Sequence, residues 1–306
     1  MKNIFLFVSM LAMALTAHPQ DYLKLMSYNI KNANGMDGVC SYQRIANVIN
    51  HASPDVVAIQ ELDSMTVRSG QKYVLGEIAE RTQMHASYAP AINFQGGKYG
   101  IGILSRQKPL SIKTFPLPGR EEKRMLMIAE FEDYFFACTH LSLTEEDRLA
   151  SLDIIRSSVG TIDKPFFIAG DMNDVPESKF TEIFKKDFQI LTNNDRESKT
   201  FPSPAPDRTL DYIAVWKHHT NHFANLSAQV LDEPVASDHL PLTVQLRMPM
   251  EADKLFLTQP YLQNPANNGM TILWETTIPA YSWVEYGTDT LNLNRKRLII
   301  DGQAEF

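Results

Sequence analysis

Apolar and polar residues alternate from Tyr22 to Ile30, the two-residue period of a strand half-buried on each face. Between Tyr42 and Asn50 the period changes: Ile45, Val48 and Ile49 fall at helical spacing, and Pro54 then breaks the pattern. Asp55-Val56-Val57-Ala58-Ile59 follows as a buried strand, and Val74, Leu75, Ile78 and Ala79 mark a second amphipathic helix. Strand-like runs recur at 100–104, 111–115, 125–131 and 134–139. Thr144 with Asp147 three residues on predicts a capped helix start, which Leu149, Leu152, Ile155 and Val159 continue. A short apolar strand is expected at 165–169, a helix from Pro176 through Phe184, and strands at 210–215, 228–231 and 242–246. Helices separate strands early, and strands adjoin one another in the middle and late, so two packed sheets with helices on their outer faces are expected.

The ends of the chain have a different character. Met1-Lys2-Asn3 precedes an apolar run from Ile4 to Ala17, broken only by Ser9 and Thr16. A basic start, an apolar run and small residues before a polar stretch make residues 1–20 a secretory signal peptide, which implies a secreted or periplasmic protein. The run is shorter than the ~20 residues of a spanning helix, and no integral membrane segment is expected after it. After the strand at 242–246, the polar stretch Met248-Pro249-Met250-Glu251-Ala252-Asp253-Lys254 reads as a linker. The expected domains are therefore 21–249 and a short segment over 255–306.

The length of 306 residues and a hydrophobic share of 44% suit a globular chain with a large core. Two cysteines, Cys40 and Cys138, exclude a disulfide scaffold and a multi-cysteine zinc site. Export permits a bridge between them, but Cys138 lies in a strand-like run and reads more simply as a small buried hydrophobe. The formal charge is −7, and residues 21–253 hold 24 basic and 31 acidic residues, so the first domain carries all of it. Non-specific grip on a polyphosphate needs many Lys and Arg contacts, so this balance disfavours, without excluding, a nucleic-acid partner.

Polar residues gather where predicted strands end: Asn29, Gln60-Glu61, Thr139-His140 and Gly170-Asp171-Met172-Asn173-Asp174; Asp211 and Ser237-Asp238-His239 lie beside two further strands. Strand ends of a sandwich point to one rim, so these groups can converge. Such a rim suits hydrolysis of a phosphate ester. Glu61, Asn29 and Asp238 offer the oxygen ligands Mg²⁺ prefers. Asp171 or His239 can orient or deprotonate water. His140, Asn173 and a protonated His239 can donate to developing phosphoryl charge, and Asp211 can orient the His239 ring. Taken singly, each has a plainer reading: a helix cap or turn for Asp171, a solvated strand end for Glu61, a turn residue for His239, and a pairing with Arg208 for Asp211.

Taken in order, Gln60-Glu61, Gly170-Asp171-Met172-Asn173 and Ser237-Asp238-His239 resemble the endonuclease/exonuclease/phosphatase superfamily, the deoxyribonuclease-I-like group. Asn29, Leu104-Ser105-Arg106, Thr139-His140 and Asp211 fit the same pattern, so the likeness covers roughly residues 23–246. It implies an α/β fold, a four-layer sandwich of two central mixed β-sheets flanked by helices, and one or two Mg²⁺ or Mn²⁺ ions. Glu61 resembles the metal-binding glutamate, with Asn29 and Asp238 beside it. Asp171 resembles the aspartate that positions or activates water, Asn173 and His140 resemble phosphate ligands, and His239 with Asp211 resembles the His–Asp pair. Whether the aspartate or the histidine is the base stays open.

The expected activity is a secreted metal-dependent phosphoesterase acting as a monomer on a compact phosphate mono- or diester, such as a sugar-phosphate or lipid headgroup. A secreted nuclease is the alternative, and a non-catalytic binder of phosphorylated ligands a third reading. Arg44, Arg106, Arg124 and Arg148 are each either phosphate contacts or surface ion pairs. His218, His219 and His222 read as an exposed loop, and Phe94-Gln95-Gly96-Gly97-Lys98-Tyr99-Gly100 either as a loop that edges the site or, more simply, as a plain hairpin turn. The segment 255–306 is similar to part of the fibronectin-III-like domain that precedes the catalytic domain of purple acid phosphatases. With about half of the ~100 residues of such a sandwich, it is expected to be an incomplete β-sandwich, less ordered than the first domain unless docked on it.

Overall fold

The computed structural model describes residues 22–160, 162, 164–192, 198–218, 223–248, 256–266, 269–276, 282–286, 295–299 and 304–305. The leader at 1–20, His219, His222 and the linker residues 249–254 lie outside the described residues. The chain divides into two units, one of which spans Tyr22–Met248.

That unit holds two six-stranded sheets. The first comprises β1 (Tyr22–Asn29), β2 (Val56–Ser64), β3 (His85–Phe94) and β4 (Gly97–Ser105), with β11 (Ala224–Val230) and β12 (Leu242–Arg247). Its order is β11-β12-β1-β2-β4-β3. The second comprises β5 (Ser111–Leu117), β6 (Arg124–Glu130), β7 (Phe135–His140), β8 (Phe166–Asp171), β9 (Phe188–Ile190) and β10 (Asp211–Trp216). Its order is β5-β6-β7-β8-β10-β9. Each sheet contains one parallel pair, β1 with β2 and β7 with β8, and is otherwise antiparallel.

Period-two alternation in the central strands assigns side chains to layers. Leu25, Val56, Ala58, Ile103, Phe136, Cys138, Phe167, Ala169, Ile213 and Val244 meet between the sheets. The alternate residues Met26, Tyr28, Val57 and Ile59 face outward onto Ile45, Ile49, Leu75 and Ile78 of helices α1 (Tyr42–Ala52) and α2 (Val74–Thr82). On the other sheet Phe166, Ile168, Tyr212 and Ala214 face Leu152, Ile155, Phe180 and Phe184 of α3 (Glu145–Val159) and α4 (Lys179–Asp187). The result is the expected four-layer sandwich, and its central strands are apolar on both faces because both faces are covered.

Local expectations fare unevenly. Helix α3 begins after Thr144, but the Thr144 hydroxyl makes no cap and the Asp147 carboxylate instead accepts from the backbone and guanidinium of Arg120. Helix α4 begins three residues after Pro176, because Ser178 caps it by accepting from the Thr181 amide. Strand β11 starts at Ala224, four residues before its expected start, and strand β3 carries no recognised signal. The hairpin read at 94–100 joins β3 to β4, its turn at Gln95 and Gly96 having positive φ at both residues. No bridge joins the cysteines: Cys138 is buried between the sheets and Cys40 is exposed.

In the other unit, β13 (Phe256–Ala266), β14 (Gly269–Thr276) and β17 (Ala304–Glu305) form one small sheet. Strands β15 (Ser282–Tyr286) and β16 (Arg295–Ile299) form another.

Gly170, one residue before the end of β8, fixes how closely β7 and β8 approach. A Cβ there would stand 2.0 Å from the Thr139 carbonyl oxygen, and neither backbone can yield without breaking the ladder. Gly170→Ala is expected to destabilise the domain by about 1–3 kcal/mol, the usual cost of overpacking, read as a lower urea midpoint.

Candidate active site

The parallel pairs place the ends of β1, β7 and β8 and the bulge of β2 on one rim. Asn29 ends β1 opposite Gln60 of β2, and His140 ends β7 opposite Asp171, which ends β8. Antiparallel β10 starts at the same rim, with Asp211 opposite Asp171, and His239 stands just before β12, which runs antiparallel to β1. All eight residues expected at the site come to this rim.

Glu61 reaches it through a distortion. The register of β2 against β4 shifts between Ile59 and Leu62, and Glu61 takes a φ of 60°. This bulge re-aims the Glu61 carboxylate while Gln60 turns inward, its amide nitrogen donating to Cys138 Sγ at 3.5 Å. Asn173 also sits at positive φ, 51°, where an Asn is tolerated.

Asn29 joins the two sheets. Its Nδ2 donates to Glu61 Oε1 at 3.0 Å and to Asp171 Oδ2 at 3.1 Å, while its Oδ1 accepts from the Lys31 amide. In this arrangement Asn29 holds two carboxylates in place and offers them its nitrogen. Asp171 Oδ1 accepts from the Asn173 amide at 2.8 Å. The Asn173 side chain donates to the Leu141 carbonyl, and His140 Nε2 lies 3.5 Å from Asp171 Oδ2.

The His239 ring stands between two carboxylates. Its Nδ1 is 2.8 Å from Asp211 Oδ2 and its Nε2 is 3.7 Å from Asp171 Oδ2, with the Phe201 ring packed on it at 4.8 Å. Thr200 Oγ1 donates to the same Asp211 oxygen at 2.6 Å. Burial alone would lower the ring's pKa, but Asp211 and Asp171 outweigh it and push it up to about 10, so the ring is an imidazolium at neutral pH. Burial pushes the Asp171 carboxyl up to about 7, against the pull of His239. Burial, with Arg124 and His239 adding to it, holds His140 well below its ordinary value, so this second ring is neutral.

These groups line a cavity of about 500 Å³. Glu61, His140, Asp171, Asn173, Asp238 and His239 form its polar wall. Of the four arginines considered, only Arg124 reaches it. Arg44 pairs with Asp37, Arg106 donates to the Pro54 carbonyl, and Arg148 pairs with buried Asp174. Arg208 also lines the cavity, but its guanidinium pairs with Asp207, not Asp211, and lies over Phe201. Sequence reasoning missed Glu122 and Phe201 in this lining, while Tyr99 belongs to the 94–100 segment, one reading of which edges the site. A larger cleft, of about 950 Å³, runs along edge strand β11, away from these groups.

The donor set fits a hard divalent cation. The half-buried Glu61 carboxylate and the Asp238 carboxylate both face the cavity, and burial raises the Glu61 pKa because its contact with Asn29 supplies no full positive charge. Among the described residues no Lys, Arg or His pairs with Glu61 within 4.0 Å, so a desolvated anion there lacks a counter-ion. The ligand atoms of Asp171, Asp211 and His239 also lie within 4.8 Å of one another, but the hydrogen bond at Nδ1 and the proton on the ring make that trio an ion pair.

The sequence profile of the Endonuclease/Exonuclease/phosphatase family matches residues 26–239. The chain belongs to that family. Its members are hydrolases that act on phosphate esters and typically depend on a divalent metal. No curated protein sequence matches the chain. Among solved structures it is similar to an endonuclease/exonuclease/phosphatase from Beutenbergia cavernae, at 20% identity and TM-score 0.62, covering 84% of this chain and 78% of that one. It is also similar to a mannosyl-6-phosphatase of Bacteroides thetaiotaomicron, at 17% identity and TM-score 0.58, covering 73% and 99%. The human Nocturnin catalytic domain with bound sulfate aligns at 18% identity and TM-score 0.57, covering 74% and 94%. At these identities the likeness is one of fold.

The His239 pKa lies above its unfolded value near ~6.5, so its pairing stabilises the fold fully below that pH and fades as pH rises toward about 10. Asp211→Asn removes the nearer carboxylate charge. Ring-nitrogen NMR in EDTA is expected to show His239 titrating at least about one unit lower in that variant.

Proposed function

We propose that this family member is a divalent-metal-dependent phosphoesterase that cleaves a compact phosphate mono- or diester by attack of water. The observation that carries this reading is the buried His239 ring, held between Asp211 and Asp171 at the wall of a cavity that Glu61 and Asp238 also face. Glu61 and Asp238 would hold the cation, which supplies charge stabilisation to the phosphoryl oxygens when bound.

The protonation states of the two groups support Asp171 as the base. His239 already carries its proton at neutral pH and is a donor, so it stabilises charge on the phosphoryl group. Asp171, with its carboxyl pushed up to about 7, is the group tuned to take a proton from water. The water oxygen bonds to phosphorus as the bond to the leaving oxygen breaks; Asp171 gains the water's proton and the leaving oxygen takes one from solvent or His239. His140, being neutral, donates without adding a competing positive charge. Asn29 and Asp211 position Asp171 and His239.

The size of the cavity supports a compact substrate, because about 500 Å³ falls within the range of small-molecule sites. Four carboxylates, Glu61, Glu122, Asp171 and Asp238, line it beside two arginines, a poor lining for a polyanionic strand. The apolar run at 4–17 supports export of the mature protein.

The full chain without its leader is assayed with Mg²⁺ or Mn²⁺, and with EDTA, on a chromogenic phosphomonoester, a chromogenic phosphodiester, phospholipids and supercoiled plasmid. Turnover of a small ester that EDTA abolishes is expected. Preferential nicking of plasmid would favour a nuclease, and no metal-dependent turnover of any substrate would overturn the reading. Asp171→Asn is expected to lower kcat by about 10²–10⁴-fold. The rate should rise as Asp171 ionises and fall as His239 loses its proton, and Asp211→Asn should move the alkaline limb to lower pH.

A further inference from the structure

Arg124 starts β6 at the wall of the catalytic cavity, and its guanidinium is 7% exposed. A guanidinium carries five N–H donors. Here Nη1 donates to Glu122 Oε1 at 2.9 Å, Nη2 lies 3.7 Å from Glu121 Oε1, and Nε is buried with no hydrogen-bond partner. A desolvated cation with unused donors, facing a cavity built for phosphate chemistry, is matched to an anion with several acceptor oxygens.

The two acids beside it are held very differently. Glu121 is anchored elsewhere: it accepts from Ser142 Oγ and the Leu143 amide, each at 2.7 Å, and from Thr144 Oγ1 at 3.4 Å. Glu122 makes one side-chain hydrogen bond, to Arg124. It too lines the cavity, and its negative charge adds to those of Glu61, Asp171 and Asp238 in the same small space. Such crowding of acids disfavours an incoming anion, yet the singly tethered Glu122 is the one that can leave without breaking any other contact.

We propose that Glu122 occupies the phosphate seat on Arg124 in the free protein, and that the substrate's phosphoryl group displaces the Glu122 carboxylate and takes its hydrogen bonds. Arg124 is then a substrate-binding residue and Glu122 a resident competitor that makes weakly held or singly charged anions poor ligands. No covalent bond changes in this exchange; one carboxylate moves into solvent and one phosphoryl oxygen replaces it. The inference rests on the phosphoesterase reading above, because it assigns the phosphoryl group to this cavity.

Inorganic phosphate is the probe, titrated calorimetrically into the full chain with Mg²⁺ and scored in parallel as an inhibitor of whichever chromogenic ester is turned over. Glu122→Gln keeps the side-chain shape but removes the competing charge, and it is expected to tighten phosphate binding by about tenfold and to lower KM. If Glu122 only holds Arg124 in place, the same variant will weaken phosphate binding, and the proposal falls. Arg124→Lys keeps the charge but loses the forked donors, and should weaken phosphate binding about tenfold or more. Unchanged binding in Arg124→Lys would also overturn the proposal. Should that variant fail to fold by circular dichroism, the sign of the Glu122→Gln effect decides alone. Turnover and phosphate binding in the wild type with neither variant changing them would sink this exchange and leave the phosphoesterase reading standing. Absence of both in the wild type would remove that reading and this one together.

Discussion

The central strands of both sheets are buried on both faces, and most of what the protein presents to a ligand follows from that constraint. A strand covered on two sides has no tolerant interior position for a polar side chain, since an unpartnered buried polar group costs about 1–3 kcal/mol. The central strands comply: β8 reads Phe166, Phe167, Ile168, Ala169 before its final Gly170 and Asp171, and every one of these residues is buried. Polar groups are thereby pushed to strand ends. The two parallel pairs then decide which groups coincide, because β1 ends beside the bulge of β2, and β7 and β8 end side by side, at the same rim. The exceptions within the sheets are few among the described residues. Ser27 Oγ, Tyr28 OH and Gln60 Oε1 on β1 and β2, with Arg124 Nε and Asp211 Oδ1 at the starts of β6 and β10, are buried without a partner.

This arrangement made the site more legible than the elements that carry it. Hydrophobic patterning identified β1, β2, β7, β8, β10 and β12, the strands that bear the site or lie beside it, because two covered faces demand short, largely apolar runs such as those of β2 and β8. It failed on β3, where Ala86, Tyr88 and Ala89 share the strand with Pro90 and Asn93 and most positions are only partly covered. The start of α3 was read correctly but its cap was not: Asp147 was read as half of a capping box, and Arg120 offers it three donors. Among the wall residues, Tyr99 belongs to a recognised hairpin segment, while Glu122 and Phe201 carry no local signature. The hairpin's own placement depends on tertiary contacts, such as Arg68 lying over Phe94 and Tyr99 while paired with buried Asp63.

Charges of both signs are buried at the cavity. Residues 21–253 are acidic overall, and the cavity shares that bias, but His239 and Arg124 are buried in its wall beside Asp171, where solvent screens them little. Two of the acidic or amide groups at the rim, Glu61 and Asn173, hold positive φ, a conformation that costs non-glycine residues of order 1–3 kcal/mol. Such strain persists only where surrounding contacts over-determine it. Here they do: Glu61 is pinned by Asn29, and Asn173 is tied through its amide to Asp171 and through its side chain to Leu141.

The rim is also a seam between the sheets. Asn29 belongs to the first sheet and Asp171 to the second, and a single amide nitrogen bridges Asp171 and Glu61 across them. Ser237 Oγ donates to the Asn29 carbonyl at 2.7 Å, so the segment that carries Asp238 and His239 is fastened to the same point. His239 then reaches back to Asp211, on the second sheet. Apolar packing between sheets is non-directional and tolerates small shifts along the strands. Hydrogen bonds at 3.0–3.1 Å tolerate far less. The polar groups at the rim therefore set the sheets' relative register at this end of the sandwich, and the positions of the groups proposed to act on a phosphate are fixed by the same few contacts that lock the two halves of the core together.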